Sequence, residues 1–381
     1  MMVYLDNAAT TKPSEAALTA MRPFLTEGFG NPSSVYSVGQ KAKSAIENAR
    51  ETVANAIGAL PEEIFFTGGG TESDNWAIKS TAELKANAGR HIITSAIEHP
   101  AVLNTLRHLE KNGFEVTYLG VDEYGRISLD ELCGAIRGDT ILVTIMTANN
   151  EIGTILPITE ISKITRERGV LFHTDAVQAV GHIPVDAHET GVDLLSFSGH
   201  KFGGVKGCGV LYIKKGLRLP PFIHGGEQER GQRSGTENVA GVVSLAAALD
   251  VMLPKLPLDR VTRMRDRLIG ELLKIPRSRL TGDPVNRLPG IASFVFECIE
   301  GESMLLLLDQ CGICASSGSA CSSGSLDPSH VLLAIGLPHA IAHGSLRLSI
   351  GEDTEEEDID YVLDKLPGIV ARLRSMSPLW K

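Results

Sequence analysis

The chain has 381 residues, enough for a large domain and a smaller one. Its formal net charge of −10 and its few Tyr (6) and Trp (2) argue against a stable nucleic-acid partner, which needs a basic face or a stacking surface. Hydrophobic content of 43% and charged content of 22% are ordinary for a globular chain, and no stretch reaches the roughly 18–20 uncharged apolar residues of a membrane span.

The start, Met1-Met2-Val3-Tyr4-Leu5-Asp6, lacks the basic head and long apolar core of a signal peptide, so the expected location is cytoplasmic. From about residue 60 to 215, short apolar runs alternate with helical patterns, as in an α/β layer fold. A strand at 64–67 runs into Gly68-Gly69-Gly70-Thr71-Glu72-Ser73 and then a helix. A strand at 91–95 ends in Glu98-His99-Pro100, with Pro100 suited to the first position of a helix over 100–111. A strand at 141–147 ends in Asn149-Asn150-Glu151, and a helix over 158–168 follows. Strands at 170–174 and 194–198 end in Asp175-Ala176-Val177-Gln178 and in Ser198-Gly199-His200-Lys201; another is expected at 209–213. The apolar helix at about 238–253 reads as buried in the core. Beyond residue 255 come a helix (259–273), a strand (291–297), a helix (301–310), a Gly/Ser-rich stretch, a strand (344–350) and a last helix from about Thr354. That part reads as a smaller α+β domain.

Ligands in open α/β sheets bind beyond the carboxyl ends of the strands, and five successive strand ends here carry unusual polar groups. The Gly68–Thr71 turn before a helix suits an anion at the helix amides, with a tight connection as the plain alternative. It is not a nucleotide P-loop, since no Gly-Lys-Ser/Thr follows. Lys201 follows an apolar strand and is flanked by Gly199, Gly203 and Gly204; a partly buried lysine of this kind can attack a carbonyl and form a Schiff base. Asp175 then suits the protonated nitrogen of a pyridine ring, and His99 is either a helix cap or a proton carrier.

The six cysteines, at 133, 208, 298, 311, 314 and 321, are too unevenly spaced for a disulfide framework. Two other readings stay open. Ser198-x-x-Lys201, Ser73-Asp74-Asn75 and Arg233-Ser234-Gly235 match the motifs of penicillin-binding acyl-transferases, in the wrong order. Cys311-x-x-Cys314 with Cys321, and His330 as a fourth group, offers a metal or cluster site; small core residues are the alternative for Cys311 and Cys314.

Taken together, these residues resemble the cysteine desulfurases, within the aminotransferase class V group of fold-type I pyridoxal-phosphate enzymes. The likeness runs from Tyr4-Leu5-Asp6-Asn7-Ala8-Ala9-Thr10-Thr11 and Gly30-Asn31-Pro32-Ser33-Ser34, through every strand end above, to Arg233-Ser234-Gly235-Thr236-Glu237-Asn238 and Ser316-Ser317-Gly318-Ser319-Ala320-Cys321. It implies a large domain with a mixed, mostly parallel sheet (13–255) and a small domain formed by 1–12 and 256–381. Lys201 would bind pyridoxal 5'-phosphate covalently, with His99 on its ring, Asp175 at the ring nitrogen and Gln178 at the ring hydroxyl. Thr71, Ser198 and His200 would hold the phosphate, joined by Thr236 from the second subunit of a homodimer. Asn150 and Arg347 would grip the carboxylate of L-cysteine, Asn150 also contacting the cofactor. Cys321, on a Ser/Gly/Ala-rich tether over about 315–325, would take the sulfur as a persulfide while the substrate leaves as alanine.

No resident metal is implied, beyond a passing cluster contact at Cys321. The long tether resembles that of desulfurases serving an iron–sulfur scaffold protein; tRNA thiolation is the other destination. The Arg-x-Gly-His-His-Cys motif of the selenocysteine-lyase-like branch is absent. The chain departs from the common pattern at Gly68, where serine is frequent, at Glu227, and at Glu352-Asp353.

Overall fold

A computed structural model describes residues 2–317 and 328–380; the expectation for Cys321 and most of its tether lies outside the described residues. Seven strands form the main sheet: β2 (Ile64–Thr67), β3 (His91–Ser95), β4 (Glu115–Leu119), β5 (Thr140–Thr144), β6 (Leu171–Asp175), β7 (Leu194–Ser198) and β8 (Gly209–Ile213). They are preceded by the short β1 (Val3–Tyr4) and followed by β9 (Ser278–Leu280), β10 (Ile291–Phe296), β11 (Ile313–Cys314) and β12 (Ser345–Ser349).

The main sheet has the order β2-β8-β7-β6-β5-β3-β4. Strands β7, β6, β5, β3 and β4 run parallel, and β8 lies antiparallel to both β7 and β2. Every residue of β3, β5, β7 and β8 is buried, which is why these strands read as unbroken apolar runs rather than as alternations. Helix Val239–Met252 is apolar all round and packs against Glu15–Thr26 and Ser37–Ala56; Asp250 sits on its exposed end. The predicted strand at 141–147 is assigned only as far as Thr144, although its ladder continues, with Thr147 N donating to Asp175 O at 2.8 Å. Edge strand β4 was not anticipated. Its residues are largely half-buried or exposed, so no apolar run marks it.

Strand β10 pairs antiparallel with β9 and β12, and β1 runs parallel to β11. The amino-terminal segment then passes along β12, where Ser349 N donates to Leu5 O at 2.7 Å. This return brings Asp6 to Ala9 across the carboxyl ends of the main sheet. No single helix among the described residues is long and apolar enough to cross a membrane.

Candidate active site

Beyond the carboxyl ends of β2, β3, β5, β6 and β7 lies a cavity of about 310 Å³. Thr71, His99, Asn150, Asp175, Gln178, Ser198, His200, Lys201 and Arg347 all line it. Of the residues expected at the site, Thr236 lies elsewhere on the chain, exposed to solvent, and Cys321 is outside the described residues.

Lys201 ends a short 3₁₀ turn that continues β7, and its Nζ donates to the carbonyls of Ala8 and Ala9 at 2.7 and 2.9 Å. These carbonyls are a feature that motif reading missed: the returning amino-terminal segment supplies the acceptors that aim the amine. Gln178 Nε2 donates to the same Ala8 oxygen at 2.9 Å. Asp175, the last residue of β6, accepts from Val177 N at 2.8 Å. Burial pushes its carboxyl up to about 6, and the Lys201 charge opposes that rise. Asp74, also on the cavity wall, is raised by burial and then by Asp175.

His99 is the N-cap of helix Pro100–Glu110, its Nδ1 accepting from Ala101 N at 3.1 Å. With Nδ1 acting as acceptor, the proton of the neutral ring sits on Nε2. Burial, followed by the charges of Lys201 and His330, holds its pKa down to about 4. His99 is therefore both the cap and a neutral ring at the cavity; the two readings of the sequence do not exclude each other. Just before it, Glu98 is buried, accepting from Met146 N at 3.0 Å and from Ser95 Oγ at 2.5 Å, and burial lifts its carboxyl to about 8.

At the other end of the cavity the helix Gly70–Lys85 begins. A Cβ on Gly70 would stand 2.6 Å from Val177 Cγ2, and one on Gly209 would stand 2.6 Å from the backbone of Gly69. Glycines at these places let the loop after β6 and the start of β8 pack closely against the turn. His200, whose Nδ1 lies 3.1 Å from Thr10 Oγ1, is held down to about 4, first by burial and then by Lys201 and Lys206.

Arg347, on β12, is 4% exposed. Its Nη1 donates to Asn150 O at 2.9 Å and its Nη2 to Asp6 Oδ1 at 2.8 Å, while Nε has no partner among the described residues. A buried guanidinium on the cavity wall, with one donor unused, suits a carboxylate. Asp6 was visible only as part of a motif; its partner is 341 residues away, a separation that sequence spacing cannot reveal.

The competing readings fare differently. Ser73 is fully buried and bonded to Thr67 Oγ1 at 2.8 Å, and Arg233 is paired with Glu72 at 2.7 Å, so neither is placed for acyl transfer in the cavity. Cys314 lies in β11 opposite Tyr4, and Cys311 packs against the main core.

The main sheet, with a lysine just after an inner strand and an aspartate ending its neighbour, has the architecture of a fold-type I pyridoxal-phosphate enzyme. The residues present suit that cofactor. The helix start at Gly70 and Thr71, with Ser198 and His200, suits an anion, Lys201 supplies an amine, and Asp175 a buried carboxylate. The model for aminotransferase class-V proteins matches residues 3–362, and the chain belongs to that family, in its cysteine desulfurase branch. It is 57% identical to cysteine desulfurase IscS of Methanosarcina thermophila over 99% of this chain and 94% of that one. A solved NifS-like protein superposes with a TM-score of 0.93 at 40% identity, covering 98% of this chain and 100% of the other. A second solved structure, described as SspA in complex with cysteine, superposes with a TM-score of 0.83 at 39% identity, covering 91% and 98%.

Proposed function

We propose that this chain is a pyridoxal-phosphate-dependent cysteine desulfurase, converting L-cysteine to L-alanine and passing the sulfur to Cys321 for iron–sulfur cluster assembly or tRNA thiolation. The observation that carries this reading is the convergence of Lys201, Asp175, His99 and Arg347 on one cavity. Bound there, pyridoxal phosphate supplies an aldehyde for an amine and a ring that takes up electrons from the substrate.

The protein's own groups do the rest. Thr71, Ser198 and His200 hold the phosphate at the start of helix Gly70–Lys85, Gln178 the ring hydroxyl and Asp175 the ring nitrogen. Lys201 provides the amine that anchors the cofactor and, once released, a base. Arg347 takes the substrate carboxylate, beside Asn150, which also meets the cofactor. His99 moves protons at Nε2. The thiolate of Cys321 attacks the substrate sulfur; the carbon–sulfur bond breaks, its electron pair stays with carbon, and a proton arriving there completes alanine. An acceptor protein such as an iron–sulfur scaffold then takes the persulfide sulfur.

In this reading residues 13–255 form the cofactor-binding domain, and 1–12 with 256–381 form the domain that carries Cys321. The enzyme works in the cytoplasm as a homodimer. Thr236, remote from its own cavity and exposed, contacts the phosphate of the second subunit. Exposed Phe29, Val35 and Tyr36 supply apolar surface for that association. Borohydride reduction followed by peptide mapping tests the reading. A pyridoxyl group at Lys201 is expected; its absence there overturns the reading. Lys201→Ala should abolish the yellow colour, whereas Cys321→Ala should keep the colour and lose sulfide production.

A further inference from the structure

The segment that carries Thr236 is fastened to the phosphate turn of its own chain. Glu229 and Arg230 adopt left-handed backbone angles (φ 43° and 58°), and Glu229 is buried. Its carboxylate accepts from both terminal nitrogens of Arg50 at 2.9 Å and from Phe66 N at 3.0 Å. Strand β2, which contains Phe66, leads directly into Gly68. The segment closes on itself as well: Ser234 N donates to Ile223 O at 3.0 Å, and Ser234 Oγ to Gly226 O at 2.6 Å.

The second fastening is the more direct. Glu72, in the first turn of helix Gly70–Lys85, accepts from Gly68 N at 2.8 Å through Oε2. The same carboxylate receives Arg233 Nε on Oε1 at 2.7 Å and Nη2 on Oε2 at 3.2 Å. A Cβ on Gly68 would lie 2.7 Å from Glu72 Oε2. A side chain at this position would displace the Glu72 carboxylate from its place against the turn. Arg233 stands three residues before Thr236.

We propose that Glu72 and Arg233 are positioning residues that couple the two cofactor sites of the dimer: one carboxylate shapes the phosphate turn of its own chain and steadies the segment that reaches the phosphate of the other. This rests on the reading that Thr236 acts across the dimer. A bidentate arginine–carboxylate bond suits the role because it fixes orientation as well as distance. Losing it loosens both sites at once, whereas losing Thr236 loosens only the second subunit's site.

Mixed dimers separate these effects. One chain carries Lys201→Ala, leaving a single site that holds the cofactor covalently; release of pyridoxal 5'-phosphate from that site after dilution is followed by visible absorbance. Thr236→Ala should speed release only when placed on the Lys201→Ala chain. Arg233→Met should speed it from either chain, by about five- to tenfold, the scale of one lost charge-assisted pair. Arg233→Lys keeps the charge but not the fork; it should give the same two-sided pattern at smaller size, and serves if the methionine variant does not fold. An Arg233 effect from one chain only overturns the coupling. Absence of a Thr236 effect from the Lys201→Ala chain overturns the dimer reading instead.

Discussion

His99 and Glu98 are neighbours in sequence, yet burial shifts them in opposite directions for the same reason: it favours the uncharged form of each. For His99 the consequence is electrostatic. A ring uncharged above about pH 4 keeps its Nε2 proton across the working range, so at rest it adds no second positive charge beside Lys201 and offers Nε2–H as a hydrogen-bond donor. His99→Ala should retain the bound cofactor colour and lower kcat by about 10²–10⁴-fold, the usual reach of a positioned acid–base group; steady-state turnover with spectral titration checks both halves. For Glu98 the consequence is stability. Its folded pKa of about 8 lies above the ordinary 4.5, so its contribution is fully present below pH 4.5 and is lost as pH rises through 8. Glu98→Gln should therefore flatten the fall of Tm between pH 6.5 and 8.5 relative to wild type, measured by thermal melts across that window. The placement of Lys201, Asp175 and His99 at the cavity was legible in sequence because each follows or ends an apolar strand. The carbonyls of Ala8 and Ala9 were not, because backbone acceptors leave no trace in residue type.

Among the elements, the strand ends matter most. Buried parallel strands announce themselves as apolar runs, and the polar residue closing each run marks the ligand side of the sheet. Two-residue β1 and β11, three-residue β9 and the edge strand β4 carry too short or too mixed a pattern to be read. Yet β1 and β11 are what return the amino terminus to the site. The phosphate turn belongs to this scale too, since the start of helix Gly70–Lys85 is packed against the loop after β6 through Gly70 and Val177. Gly70→Ala places a methyl group 2.6 Å from Val177 Cγ2 and should weaken cofactor affinity about tenfold or more by displacing the turn. Val177→Ala in the same chain opens that space and should recover part of the loss. Equilibrium binding of pyridoxal 5'-phosphate to the two variants measures the difference.

At the scale of the whole molecule, residues far apart in the chain assemble one cavity: the amino-terminal segment, five strand ends of the main sheet, and Arg347 from the carboxyl-terminal part. Order and spacing along the sequence foretold most members of this set but not how the parts close on one another. The Asp6–Arg347 pair and the Glu72–Arg233 pair appear only once the chain is folded. The account as a whole requires that an amine at 201 and a thiol at 321 act on the same substrate molecule. Incubation of the cofactor-loaded protein with L-cysteine, followed by mass spectrometry of the products and of the digested chain, tests this most directly. Alanine formed in equal amount with a persulfide on Cys321 is the predicted result; alanine without sulfur on Cys321, or sulfur retained on another cysteine of the chain, would contradict it.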